Sequence, residues 1–297
     1  MSARILDGAQ LASEKREQLK KKIEDLKQRG LVPGLAFVLV GDNPASASYI
    51  RAKGKTCAQI GINSIDRRLP ENADMHDVRA VVEELNTDDT VHGILVQLPL
   101  PGQLDEQTIL QAVAPEKDVD GFHPLNLGKM MLGLESVLPC TPYGIVEMLK
   151  TAAIQIEGSH TVIVGRSNIV GKPLANMLVQ KHPDANATVT VCHSRTRDLK
   201  KLTLQADILV AAAGQYSLIT ADMVREGAVV IDVAMNRVPD DTKKRGYRLC
   251  GDVDFDAVKE KASYITPVPG GVGPMTITML MENTVKAALR INGRGDE

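Results

Sequence analysis

Apolar residues recur along the chain in compact runs separated by charged or glycine-containing stretches. The run GLAFVLVG at 34–41 has the pattern of a buried strand and is closed by the turn sequence DNPAS. Ahead of it, residues 9–29 scatter Leu11, Ile23 and Leu26 among charges, and Gly30 follows as a stop signal, so this stretch predicts a helix. A second helix is expected over 46–60, ended by Gly61. A short strand near 62–68, a helix near 74–86 and a buried strand in GILVQLPLP at 93–101 follow. Strands that alternate with helices predict parallel βαβ units.

The alternation resumes after residue 158. HTVIVG at 160–165, TVTVCHS at 188–194, ADILVAAAG at 206–214 and AVVIDVAMN at 228–236 read as strands, with a helix starting near Val170. Residues 275–291 read as a closing helix before the polar stretch NGRGDE, and the chain has no short-period repeat. The pattern predicts two α/β domains. The first covers 1–141 and is completed by a C-terminal helical segment, 271–297; the second, a dinucleotide fold with a mostly parallel sheet, covers 142–270. The helix at 275–291 is expected to pair with that at 9–29.

A length of 297 residues fits two domains. With 43% hydrophobic and 24% charged residues, the composition is that of a soluble globular protein, which excludes a disordered tail, a collagen repeat and a disulfide scaffold. Lys and Arg number 35 against 37 Asp and Glu, so the basic excess of a dedicated nucleic-acid binder is missing. With no Trp, 3 Phe and 5 Tyr, a base-stacking platform is not expected either. Cys57, Cys140, Cys192 and Cys250 are far apart and form no CxxC pair, so reduced thiols rather than a metal site are expected. The opening MSARILDGAQ lacks an apolar signal core, and no apolar run reaches the roughly 20 residues of a membrane span. These features predict a cytoplasmic protein of enzyme size.

Several motifs can carry chemistry. GRSNIVGKP, from Gly165 to Pro173, follows a strand and opens a helix, where backbone N–H groups bind phosphate. Ser167 stands where GxGxxG has its second glycine, so an ordinary strand–helix turn is the alternative. The strand at 188–192 leads into His193, Ser194, Arg195 and Thr196, with no carboxylate to hold a free ribose hydroxyl. With Arg166 nearby in the motif, this is either a site for a 2′-phosphate or a solvated polar loop.

Tyr49 and Lys53, four residues apart, share a helix face and could stack on and polarise a substrate. Short-chain dehydrogenases use the same spacing, but there the pair follows the cofactor loop; here it precedes it. A surface tyrosine with a solvated lysine is the plain alternative. Gln97, inside an apolar run, either closes a structural hydrogen bond or faces a site. Asp118 and Asp120 precede Gly121, with no His or Glu spaced to complete a metal set. They form a turn, or one of them accepts hydrogen bonds from a heterocycle. TPVPGGVGPMT at 266–276 is a linker or a backbone wall against a flat ligand.

Taken together and in order, SYIRAK, VQLPLP, KDVDGFHP, PCTP at 139–142, GRSNIVGKP, HSRT and TPVPGGVGPMT closely resemble the bifunctional methylenetetrahydrofolate dehydrogenase/methenyltetrahydrofolate cyclohydrolase family over nearly the whole chain. The resemblance implies two α/β domains with a cleft between them, a homodimer, and NADP as cofactor. It implies oxidation of 5,10-methylenetetrahydrofolate to the 5,10-methenyl cation, then hydrolysis to 10-formyltetrahydrofolate. Tyr49, Lys53 and Gln97 become the catalytic candidates. The folate would be bound by these three with Leu98, Pro99, Asp120, Pro269, Gly270 and Gly271. NADP would be bound by Thr141, Gly165, Arg166, Ser167, Val170, Gly171 and Ser194, and by the main chain of Met235, in a segment where the family commonly has Gly-Ile-Asn and this chain has Ala234, Met235 and Asn236.

Two rival readings are a dehydrogenase without hydrolase activity, opposed by the joint presence of Lys53 and Gln97, and an NADP-binding regulatory protein without turnover.

Overall fold

The computed structural model describes residues 2–243 and 246–295. Its strands are β1 (Arg4–Ile5), β2 (Gly34–Val40), β3 (Asn63–Leu69), β4 (Gly93–Val96), β5 (His160–Val164) and β6 (Thr188–Cys192). They continue with β7 (Ile208–Ala211), β8 (Val229–Asp232), β9 (Asn236–Pro239), β10 (Tyr247–Cys250) and β11 (Tyr264–Ile265). The chain divides into two compact units. One joins the segment ending at Ala12 to Thr141–Thr276; the other joins Ser13–Cys140 to the segment beginning at Ile277.

The unit built on Ser13–Cys140 has a three-stranded parallel sheet in the order β3-β2-β4. β2 is buried at every residue, as expected of a parallel strand covered on both faces. β3, with the polar sequence NSIDRRL, lies at the edge. The helix Met75–Thr87 starts at Asp74, whose carboxylate accepts the Asp77 N–H while the Asp77 carboxylate accepts the Asp74 N–H. Its buried face is Val78, Val82 and Leu85, and these pack with Ala36, Val38 and Ile94 of the sheet. The expected helix pairing is present within this unit, where Lys15 of the helix Gly8–Gln28 meets Glu282 of the helix Val272–Ile291 at 3.3 Å.

The other unit has a six-stranded sheet in the order β1-β11-β8-β7-β5-β6, parallel throughout, and a separate antiparallel hairpin, β9–β10. The order turns back at β5, which lies between β6 and β7, so the carboxyl end of β5 is where an open α/β sheet takes its ligand.

Three differences from the sequence reading have physical reasons. β1 supplies an edge to the six-stranded sheet by pairing with β11, so the first residues go with the nucleotide-fold unit rather than with the domain expected over 1–141. The run at 93–101 is a strand only to Val96, because Pro99 and Pro101 cannot donate to a ladder. The last helix begins at Val272, with Pro274 in its first turn, where no backbone donor is lost. Local pattern did not reveal β1, β11 and the β9–β10 hairpin, or the helices Glu106–Ala112, Pro124–Met131 and Cys140–Thr151.

Candidate functional site

Within the unit built on Ser13–Cys140, the helix Pro44–Ile60 presents Tyr49 and, one turn later, Lys53. Tyr49 is 46% exposed, which is more than a packing role requires. Lys53 is half-buried, and its Nζ donates to Gln97 Oε1 at 3.1 Å. Gln97 is the first residue beyond β4, not an interior strand residue as the apolar run implied. Its main-chain N–H still donates to Val38 O at 2.9 Å, and its Nε2 donates to Leu98 O at 2.7 Å. The amide nitrogen is thus committed to the backbone, which leaves the oxygen toward the lysine. That is the only useful orientation, because an ammonium group has donors and no acceptor. Gln97 thus closes a structural hydrogen bond to the main chain and also accepts from the Lys53 ammonium.

The two acids before Gly121 have separate jobs. Asp118 is buried and accepts from the N–H groups of Gly121 (3.1 Å), Phe122 (3.3 Å) and His123 (2.8 Å) and from Asn126 Nδ2 (2.9 Å). It is the organiser of the turn. Asp120 retains some exposed surface, yet the surrounding atoms strip most of its hydration and push its pKa upward. The Lys53 charge works against that rise, Asp118 adds to it, and a hydrogen bond with Cys140 opposes it. Asp120 and Lys53 are therefore electrostatic neighbours, which the sequence could not place together.

Cys140, read in the sequence as one of four scattered thiols and as part of PCTP but given no role, lies beside Asp120. Its Sγ is buried, 3.3 Å from Val119 O, and its pKa is raised well above 9.0, first by burial and then by the Asp120 charge. The thiol stays protonated, and its S–H donates to Val119 O beside the Asp120 carboxyl. Asn283 holds this wall: its Nδ2 donates to Val119 O and Leu138 O, both at 2.9 Å.

In the nucleotide-fold unit, Gly165 follows β5 with φ of +141°, a conformation that only glycine adopts easily. A Cβ on Gly165 would strike Ala212 O, and one on Gly171 would strike Gly165 O, so the loop and the start of the helix Gly171–Val179 pack backbone to backbone. The Ser167 Oγ accepts the Val170 N–H at 3.1 Å and supports the turn, while Arg166 and Ser167 are exposed. At the end of β6, His193 N–H donates to Thr196 Oγ1 at 2.8 Å, and Arg195 N–H donates to His193 Nδ1 at 3.1 Å. This tight turn leaves the side chains of Ser194 and Arg195 exposed. Thr141 Oγ1 and Thr276 Oγ1 share a hydrogen bond at 3.0 Å. Met235, 43% exposed, lies in the loop after β8.

The site residues expected from the sequence thus fall into two groups. Tyr49, Lys53, Gln97, Leu98, Pro99 and Asp120 lie in one unit, and Thr141, Gly165, Arg166, Ser167, Val170, Gly171, Ser194 and Met235 in the other. Pro269, Gly270 and Gly271, expected to touch the folate, belong to the second group, where Gly271 N–H donates to Pro267 O and Gly270 O accepts the Ala9 N–H, both at 2.9 Å.

Residues 6–120 match the model of the tetrahydrofolate dehydrogenase/cyclohydrolase catalytic domain, and residues 139–292 match that of the NAD(P)-binding domain of the same family. The chain is 54% identical over 288 residues to a bifunctional protein FolD from Halalkalibacterium halodurans, covering 97% of this chain and 99% of the relative. Its structure is similar to that of the bifunctional methylenetetrahydrofolate dehydrogenase/cyclohydrolase FolD from Campylobacter jejuni, with a TM-score of 0.93, 50% identity, and 98% and 100% of the two chains covered. The Trypanosoma brucei methylenetetrahydrofolate dehydrogenase-cyclohydrolase, solved with NADP and an inhibitor, matches with a TM-score of 0.93 at 37% identity, over 99% and 100% of the two chains.

Proposed function

The chain belongs to the tetrahydrofolate dehydrogenase/cyclohydrolase family, and from that membership we propose how its residues divide the work. The protein is a bifunctional one-carbon folate enzyme. It oxidises 5,10-methylenetetrahydrofolate to 5,10-methenyltetrahydrofolate with NADP and hydrolyses the product to 10-formyltetrahydrofolate.

The residues of the nucleotide-fold unit fit NADP. The backbone cradle of Gly165 and Gly171, which a Cβ would fill, lies at the carboxyl end of β5, and exposed Arg166, Ser167, Ser194 and Arg195 stand around it without a carboxylate. Arg166 and Ser194 would hold the 2′-phosphate, Val170 and Ser167 the turn beneath the pyrophosphate, and Thr141 and the Met235 main chain the nicotinamide. When bound, the nicotinamide accepts the hydride that leaves the bridging methylene.

Tyr49 stacks on the flat aminobenzoyl part of the folate through its exposed ring. Asp120 takes the N–H donors of the pterin edge. Burial raises its pKa, and both Lys53 and an arriving set of donors favour the ionised, acceptor-only form. Leu98 and Pro99 supply backbone and ring walls.

In the second half-reaction water adds to the methenyl carbon and loses one proton to leave a hydroxyl; the hydroxyl proton then passes to N5 as the C=O forms and the carbon–N5 bond breaks, so one proton is released overall. Lys53 moves the proton at its Nζ, and Gln97 Oε1 fixes the direction of that nitrogen without adding a competing charge. The Lys53–Gln97 hydrogen bond beside Asp120, in the part of the chain matched by the catalytic-domain model, is the observation that carries this reading.

The test is a two-wavelength assay that separates methenyl formation from NADPH formation, with methenyl hydrolysis also followed in the absence of nucleotide. Both activities are expected. Hydride transfer without hydrolysis would make the protein a plain dehydrogenase, and NADP binding without any turnover would make it a regulator.

A homodimer is the assembly that the family resemblance supports, and sedimentation checks it. No helix among the described residues is long and apolar enough to cross a membrane. The four cysteines are unpaired, which supports a cytoplasmic setting.

A further inference from the structure

Beyond the residues expected to touch NADP, the nucleotide-fold unit contains two buried carboxylates that no ligand-binding motif accounts for. Asp252 follows the β9–β10 hairpin and is fully buried. Four N–H donors converge on its two oxygens. Oδ2 accepts from the main-chain N–H of Ala213 (2.7 Å) and Gly214 (2.9 Å); Oδ1 accepts from Gln215 N–H (2.7 Å) and Asn236 Nδ2 (3.0 Å). The first three donors are the loop that follows β7, and the fourth belongs to the segment that follows β8.

The position of Asp252 is in turn set by Asp232, the last residue of β8. Asp232 Oδ1 accepts the Asp252 N–H and Oδ2 the Val253 N–H, both at 2.9 Å. The Asp232 carboxylate occupies the space that a Cβ on residue 251 would need, so Gly251 is a requirement of this contact. The main chain of Asp232 is tied to a third element. Its N–H donates to Thr266 Oγ1 at 2.7 Å, and the Thr266 hydroxyl is 3.3 Å from Asp232 O. Thr266 directly follows β11 and opens the segment that leads to Pro269, Gly270 and Gly271.

Two carboxylates and one threonine therefore fasten the strand-end segments after β7, β8 and β11 to one another. In a parallel sheet, these segments line the crevice that receives a dinucleotide. We propose that Asp252 and Asp232 are positioning residues for the dehydrogenase half-reaction: they hold the strand-end loops in the shape that orients bound NADP, without touching it. Burial of two neighbouring acids is costly unless their oxygens are satisfied, and here the partners are loop N–H groups rather than a salt-bridge cation. That expense fits a demand for fixed loop geometry better than a demand for stability alone. The inference rests on the assignment of the strand ends as the NADP site.

Asp252→Asn keeps the shape and turns one acceptor into a donor that faces donors. Three quantities are read in the full-length protein: NADP affinity by titration calorimetry, dehydrogenase kcat and KM for NADP, and methenyl hydrolysis without nucleotide. NADP affinity and dehydrogenase kcat/KM are expected to fall about tenfold to a hundredfold, the scale of a lost charge-assisted hydrogen bond, while nucleotide-free hydrolysis stays within about twofold. An equal loss of both activities would assign Asp252 to general stability, and unchanged dehydrogenase kinetics would remove it from the reaction; either overturns the proposal. If Asp252→Asn does not fold, Asn236→Ala, which removes one of the four donors, is judged by the same split. Arg166→Ala and Ser194→Ala are run alongside. If neither weakens NADP binding, the assignment of the site itself has failed. If they weaken it and the Asp252 variant does not, only this inference has.

Discussion

Replacement of Lys53 by methionine separates chemistry from architecture in the folate unit. The change keeps the length of the side chain and deletes the Nζ that donates to Gln97 Oε1 at 3.1 Å. Gln97 is only half-buried, and its amide nitrogen remains bonded to Leu98 O, so water can replace the lost donor. The structural cost is therefore about 1 kcal/mol or less, a shift of a few degrees in Tm.

The catalytic cost is larger. A positioned proton-transfer group contributes about a hundredfold to ten-thousandfold, so nucleotide-free hydrolysis of methenyltetrahydrofolate should fall by at least about a hundredfold, or about 2.7 kcal/mol on the barrier. A smaller effect falls on binding. Without the Lys53 charge, nothing opposes the upward push of burial on Asp120 as strongly, and the carboxyl ionises less readily. KM for the folate should rise, but by less than kcat falls. The assay is loss of the methenyl absorbance in the absence of NADP, with calorimetric NADP titration as a control expected to match wild type. If folded Lys53→Met protein hydrolyses methenyltetrahydrofolate within about threefold of the wild-type rate, Lys53 has no part in proton transfer and the argument from the Gln97 contact collapses.

Three other outcomes follow from the same contacts. Asp120→Ala should weaken folate binding by about tenfold to a hundredfold, the scale of a charged hydrogen bond, and leave NADP affinity unchanged. Asp118→Ala, which removes an acceptor of four hydrogen bonds, should instead lower Tm; reversed phenotypes would exchange the two roles. NADP should be preferred to NAD, and Arg166→Ala or Arg195→Ala should raise KM for NADP but not for NAD, because a guanidinium grips the 2′-phosphate that NAD lacks; equal wild-type efficiency with both nucleotides would defeat this assignment. Burial holds the His92 pKa below 6.5, with the nearby Lys117 charge adding to the effect, and its Nδ1 accepts the Gly34 N–H at 3.0 Å. The unfolded chain therefore binds more protons near pH 6, and stability falls as pH drops through about 6.5. Asp232, raised to about 7, acts in the opposite sense, since its ionisation costs stability as pH rises toward 7. The test is thus a comparison of Tm at pH 8 and pH 5.5 between wild type and His92→Asn, whose amide oxygen can replace Nδ1; an identical acid loss in both would clear His92 of the effect.

Strand and helix patterns were legible where burial is set by local sequence. GLAFVLVG is a strand because every residue of β2 is covered, and the reading of residues 74–86 as a helix matches the spacing of Val78, Val82 and Leu85. Elements defined by a distant partner were not legible. β1 and β11 are two residues each and exist only through pairing in the six-stranded sheet, so neither has a period to detect. For the same reason the N-terminal boundary differs: nothing in SARIL at 2–6 announces that it belongs with a sheet assembled from residues more than half the chain away.

The chemistry followed the same rule. Motif order singled out Tyr49, Lys53, Gln97 and Asp120 as candidates, but only the fold brings Lys53 to Gln97 and sets Cys140 beside Asp120. The paired acids make the point most directly. Asp118 and Asp120 are two residues apart and identical in type, yet one receives three main-chain N–H groups and becomes part of the scaffold, while the other keeps exposed surface beside a lysine and a protonated thiol. Asp232 and Asp252 extend the contrast. Asp232 ends an apolar run and Asp252 opens the acidic stretch Asp252, Asp254 and Asp256, and each of the two is answered by N–H groups of segments 20 to 39 residues distant. An acid whose donors are main-chain groups of other segments leaves no motif, because any residue but proline supplies the N–H. Their role is written only in the fold, where the Asp252 oxygens gather donors from the segments after β7 and β8 and Asp232 fixes the Asp252 main chain.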